Sequence, residues 1–159
     1  MHTSVPVPVA NANLLFTVWC RACPVAACLI LTPTWADTAQ ADLVVYLDGF
    51  THERGQAIGN LFREGDDIFG APHTRVTVPI HQGKATLVFP GVKPGNYAIT
   101  AFHDENGNNT LDHNLLRLPA EPLGFSAGFK LSALSGKPGF KKLRFAFTLD
   151  SKPLEISVK

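Results

Sequence analysis

Beyond residue 41 the chain alternates between apolar and polar residues in short runs, punctuated by Gly, Pro, Asn and Asp. Near the C-terminus Leu143, Phe145, Phe147 and Leu149 fall on one side of an extended chain, with Arg144, Thr148 and Asp150 on the other. Leu154, Ile156 and Val158 repeat the pattern against Glu155, Ser157 and Lys159. A period of two with one apolar face marks a half-buried antiparallel strand. Shorter runs predict strands over 43–47, 56–63, 74–80, 85–89 and 97–103, each bounded by turn residues such as Asp48-Gly49 or Lys93-Pro94-Gly95-Asn96. Pro79 cannot donate to a ladder, which places the 74–80 strand at a sheet edge. No segment sustains a helical period. About seven strands predict an all-β fold, an immunoglobulin-like or transthyretin-like antiparallel sandwich. Between Asp104 and Lys141 no convincing long strand is found, and structureless stretches of that length in a small domain are usually functional.

The first 41 residues differ in composition. All three Cys (Cys20, Cys23, Cys28), both Trp and the single Met lie there. The apolar run 22–31 follows Arg21, has the length of an export-signal core and is too short to span a bilayer comfortably. Ala39-Gln40-Ala41 matches an A-x-A cleavage pattern. We therefore expect residues 1–41 to be an export signal with its cleavage region and 42–159 the sandwich domain, periplasmic or secreted, with no membrane span after cleavage. Val25-Ala26-Ala27-Cys28 resembles a lipobox, but the most apolar residues, Leu29-Ile30-Leu31, follow that Cys rather than precede it. Removing residues 1–41 takes away one basic and one acidic side chain, so the net charge stays at +1. Such a balance argues against a nucleic-acid partner. The domain holds no Cys, and so neither a disulfide nor a thiolate nucleophile.

The candidate chemistry lies directly after the 97–103 strand. Asp104, Asn106, Asn108, Thr110 and Asp112 place an oxygen-bearing residue at every second position. In EF-type loops such positions wrap a hard cation, the seventh through its carbonyl. These five residues are the predicted metal ligands, with Ca²⁺ as the expected cofactor. Asn109 occupies the position that needs a left-handed backbone, which Asn tolerates. Position 12 is Leu115 rather than a bidentate Glu, leaving Glu121 as a distant further ligand. With so few carboxylates the site would be weak, with Kd roughly 10⁻⁴–10⁻³ M. The competing expectation is a metal-free loop, because Asp and Asn also build turns through their own backbone. A third is a Zn²⁺ site on His103, Asp112 and His113. Asn108-Asn109-Thr110 also reads as a glycosylation sequon. Downstream, Phe125, Phe129 and Phe140 are expected to anchor the long loop over the sandwich.

Lys93-Pro94-Gly95-Asn96-Tyr97-Ala98, followed by His103-Asp104-Glu105-Asn106-Gly107-Asn108, resembles the signature of domain-of-unknown-function family 2141, a group of exported bacterial proteins. Pro119-x-Glu121, Gly124-Phe125-Ser126 and Pro138-x-Phe140 extend the likeness, which covers about Leu43 to Val158. Arg117 and Asn109 stand where the family commonly has Gly. The resemblance implies a β-sandwich and export, and no activity.

Three functional expectations follow. The leading one is a non-enzymatic exported module whose cation-ordered loop contacts a protein or glycan at the cell envelope. The second is a metal-independent structural or assembly module. The third is a metal-dependent hydrolase using His103, Asp112 and His113. Against the last, the chain has no HExxH, nucleophile elbow or phosphate-cradling Gly loop.

Overall fold

The computed structural model describes residues 39–116, 118–132 and 135–159. The export-signal expectation over 1–41 and the three Cys fall almost wholly outside these residues. The described chain is built from β1 (Ala41–Asp48), β2 (Gln56–Arg63), β3 (Thr74–Val78), β4 (Lys84–Val92), β5 (Gly95–Asp104), β6 (Leu123–Phe125), β7 (Phe145–Phe147) and β8 (Leu154–Ser157). One 3₁₀ turn, Ser126–Gly128, and one four-residue helix, α1 (Phe140–Leu143), complete it. The strands form two sheets, ordered β4-β1-β8 and β3-β2-β5-β6, with β7 also paired to β5. This is the expected all-β sandwich, with β3 at an edge; the strand predicted over 74–80 ends at Val78, just before Pro79. Among the described residues no helix is long and apolar enough to cross a membrane.

The alternation seen in the sequence becomes the inter-sheet core. Leu43, Val45 and Leu47 of β1, Leu87 and Phe89 of β4, and Ile156 of β8 pack against Ala57 and Leu61 of β2 and against Tyr97, Ile99 and Ala101 of β5. At Gly59 the facing sheets leave no room for a side chain, and a Cβ there would run into the Leu87 side chain. One pairing departs from the antiparallel expectation. β8 runs parallel to β1, Val45 opposite Leu154 and Asp48 opposite Ser157.

β2 and β5 are buried on both faces, because the excursion between β5 and β7 folds back over the outside of their sheet. Phe125 and Leu143 meet Phe62 of β2 and Ala98 of β5 there, with Phe129 and Phe140 packed at the margin. Phe125 and Phe129 stack edge to face at 5.4 Å. The three aromatic anchors thus act as expected. Ser126 ties this layer to β5. Its buried Oγ accepts from Ile99 N at 2.9 Å and donates to Leu143 O at 2.6 Å.

Two sequence expectations are corrected. The excursion contains a strand, β6, too short at three residues to show a period. The 143–149 run is not one strand. Leu143 closes α1, whose turn is made by Lys142 N and Leu143 N on Gly139 O, and Leu149 is exposed in a turn after β7. Only Phe145–Phe147 pairs with β5, opposite Gly95–Tyr97.

Candidate functional site

β5 ends by carrying His103 and Asp104 to the rim of the sandwich, both fully buried. Asp104 faces Gln56, the first residue of β2, at the last register position of the pair. Its carboxylate then organises the loop. Oδ1 accepts the backbone N–H of Gly107 at 2.9 Å and of Asn108 at 3.1 Å. Oδ2 accepts the N–H of Asn109 at 2.9 Å and Gln56 Nε2 at 2.8 Å. Bringing three successive N–H groups onto one side chain bends the chain into left-handed conformations, φ 76° at Gly107 and 61° at Asn109. The sequence assigned that tolerance to Asn109. Burial pushes the Asp104 carboxyl up, but the bonds from Gln56, Asn109, Gly107 and Asn108 outweigh it and hold the group below the usual carboxylate range.

The other four predicted ligands continue the network. Asn106 Oδ1 accepts Asn108 N at 3.0 Å, and Asn108 Oδ1 accepts both Thr110 N at 2.8 Å and Thr110 Oγ1 at 2.7 Å. Asp112 accepts Asn106 Nδ2 at 2.6 Å and Asn108 Nδ2 at 3.1 Å. The five residues Asp104, Asn106, Asn108, Thr110 and Asp112 therefore share one loop, and the side-chain oxygens of Asp104, Asn106, Asn108 and Asp112 are engaged by N–H or O–H donors. Glu121, read from sequence as a distant ligand, spans the loop instead. Its two oxygens accept Glu105 N at 3.0 Å and Asp112 N at 3.1 Å.

Beyond Asp112 the chain makes a small hairpin. His113 bridges Pro119, and Ala120 N donates to Asp112 O at 2.8 Å. Asn114 closes the tip. Its N–H donates to Leu118 O at 2.9 Å, and its Oδ1 accepts Leu116 N at 2.9 Å and Leu118 N at 3.0 Å. Leu115, Leu116 and Leu118 project from this tip with relative exposures of 103%, 78% and 55%.

The predicted Zn²⁺ constellation is not assembled. His113 is exposed on the hairpin, whereas His103 lies under the rim with its ring edge-on to Phe50 at 5.2 Å. Among the described residues, the His/Cys/Asp/Glu side chains that converge as a potential metal-ligand group are His52, His103 and Glu105. His52 sits in the connection between β1 and β2, outside any motif legible in the sequence. Arg54, Glu105, Asn106, Asp112 and Glu121 wall an open cleft of about 630 Å³ beside this group.

Two facing sheets, a covered outer layer and a side-chain-ordered loop at one rim define a β-sandwich module with its distinctive polar residues gathered in the loop after β5. The chain belongs to the DUF2141 family, described as an uncharacterized protein conserved in bacteria, whose pattern matches residues 45–156. No match to the chain is found among curated proteins or among solved structures.

Proposed function

We propose that the chain is an exported, non-enzymatic binding module whose loop after β5 is an ordered contact surface for a protein at the cell envelope. The observation that carries this reading is the hairpin tip. Three leucines are held outward on a turn that Asn114 closes with three hydrogen bonds. Exposed apolar patches on small domains commonly mark a surface that a partner covers. Aliphatic side chains suit an apolar protein groove better than a sugar face. The A-x-A pattern at Ala39–Ala41 supports export.

A second reading keeps the Ca²⁺ site on Asp104, Asn106, Asn108, Thr110 and Asp112, favoured by the meeting of these residues in one loop. Magnitudes assign the cation a minor share of the order. Fixing a residue costs about 1–2 kcal/mol, and a millimolar site offers only about 4 kcal/mol. The self-bonded network and the aromatic anchors must hold most of the loop. A Ca²⁺-specific rise in thermal midpoint over EDTA, absent with Mg²⁺, supports this reading, and no rise removes it.

The test of the main reading is a photo-cross-linking side chain placed at Leu116 in the full chain, expressed in a bacterial envelope. A discrete protein adduct is expected there and not from the same side chain at Val88 on β4. Absence of an adduct at Leu116 overturns the proposal.

A further inference from the structure

We propose that His52, His103 and Glu105 form a binding site for a divalent transition metal of the zinc class, with a ligand set distinct from the Asp/Asn residues of the loop. The starting observation is a pair of buried ring nitrogens without a partner, His52 Nδ1 and His103 Nδ1. His103 is fully buried, yet its Nδ1 has no hydrogen-bond partner among the described residues. Buried polar atoms are nearly always paired, so an orphan needs a reason. The bond from Nε2 to Arg54 O accounts for one ring nitrogen and leaves Nδ1 without a partner.

The other ring nitrogen fixes the chemistry. His103 Nε2 lies 2.8 Å from Arg54 O. A carbonyl only accepts, so Nε2 is the donor, and Nδ1 is the ring nitrogen left to offer a lone pair to a metal. Metal-ligating histidines are held in the same way, with the far N–H donated to a carbonyl or carboxylate that orients the ring.

The two remaining ligands lie close to Nδ1. Glu105 Oε1 is 3.9 Å from His103 Nδ1 and 3.4 Å from His52 Nε2. One ligand atom from each residue fits within a mutual span of 4.8 Å. With metal–ligand distances of about 2.0–2.2 Å, tetrahedral ligand atoms sit about 3.3–3.6 Å apart. One edge of the triangle already has that length. The others close by small rotations of His52 and Glu105, which are only partly buried, onto a fixed His103. The Glu105 backbone is itself held by Glu121 through the 3.0 Å bond.

The ligand set selects the metal class. Two imidazoles and one carboxylate suit Zn²⁺ and its neighbours rather than Ca²⁺, which takes oxygen ligands in larger number. Three protein ligands leave a coordination position free, and Glu105 borders the open cleft. Water or a donor group from a bound molecule can complete the shell from that side. Arg54, whose Nη2 lies 3.7 Å from Glu105 Oε2, gives the same opening a positive edge.

The experiment uses the full untagged chain, stripped of metal, with Cys20, Cys23 and Cys28 alkylated so that they cannot bind. Titration with Co²⁺ alone should produce a saturable visible band of low-symmetry coordination, with one ion per chain, that Zn²⁺ abolishes. His52→Ala and Glu105→Gln, both at partly exposed positions that the fold tolerates, should weaken binding at least about tenfold, the loss that even an outer-shell change brings. Asp112→Asn should leave it unchanged. No band, wild-type affinity in both ligand variants, or a band lost instead in Asp112→Asn would overturn the proposal and leave the His52–Glu105 contact as a structural one only.

Discussion

Gln56 and Asp104 close the end of the β2–β5 ladder through a side-chain bond, Gln56 Nε2 donating to Asp104 Oδ2 at 2.8 Å. Gln56 Nε2 also reaches Asn109 Oδ1 at 2.9 Å, so one amide holds both ends of the turn. Asp104 is thus the point at which sheet order is passed to the loop. Asp104→Asn keeps the shape but turns an acceptor into a donor that faces other donors. Hydrogen bonds to a charged group contribute about 1.5–3 kcal/mol each, and part of that set survives in Asn. We expect a loss of about 2–3 kcal/mol in urea unfolding. An unchanged midpoint would mean that the carboxylate does not organise the loop.

The same carboxylate gives the fold an acid limit. Its folded-state pKa lies below the ordinary value of 3.8. A group depressed on folding contributes stability that is complete above its unfolded pKa and lost as pH falls through the folded one. The wild type should therefore lose stability progressively below about pH 4, and Asp104→Asn should show a shallower decline over that range. Parallel curves for the two proteins would assign acid sensitivity to other groups.

The strands were legible where one face alone is buried. β1, β4 and β8 each pack one side against the core, and their alternation shows it. β2 and β5 are covered on both sides, so burial rather than alternation governs them, and the turns around them located them instead. β6 was invisible because three residues carry no period. Leu143 misled, because its apolar side chain serves the outer cluster from a helical turn while Phe147 serves the inner core. At the site, Asp104 and its Asx partners were legible because local side-chain bonding follows sequence spacing. His52 was not, because only the tertiary fold brings it to His103, with ring centroids 4.6 Å apart. Glu121 was noticed for its charge, but its role as a brace between Glu105 and Asp112 depends on the path of the hairpin.

Ser126 offers a test of how the outer layer is attached. Its hydroxyl is the buried link between Ile99 on β5 and Leu143 on α1. Ser126→Ala leaves a buried N–H and a buried C=O short of a partner, each at about 1–3 kcal/mol when wholly unsatisfied. We expect a loss of about 2 kcal/mol or more in denaturant unfolding. Amide exchange should rise first around Phe125, Phe129 and Leu143 while β1 and β4 stay protected. Uniform exchange across both sheets would show instead that the outer layer and the sandwich unfold as one.

Glu121 separates the order of the loop from the order of the sheets. Its carboxylate is buried and reaches two backbone N–H groups, one at each end of the Glu105–Asp112 segment, and touches neither sheet through them. Glu121→Gln retains one acceptor oxygen and points its NH₂ at the other N–H. One charge-assisted bond is lost and a second is weakened to a neutral one, for an expected cost of about 2 kcal/mol. That cost should fall on the loop. Exchange at the Glu105 and Asp112 amides should speed up, and limited proteolysis should open the chain between residues 105 and 112, while β2 and β5 keep their protection. If the sheets lose protection together with the loop, the brace is part of the global fold. If neither changes, the loop is held by Asp104 alone.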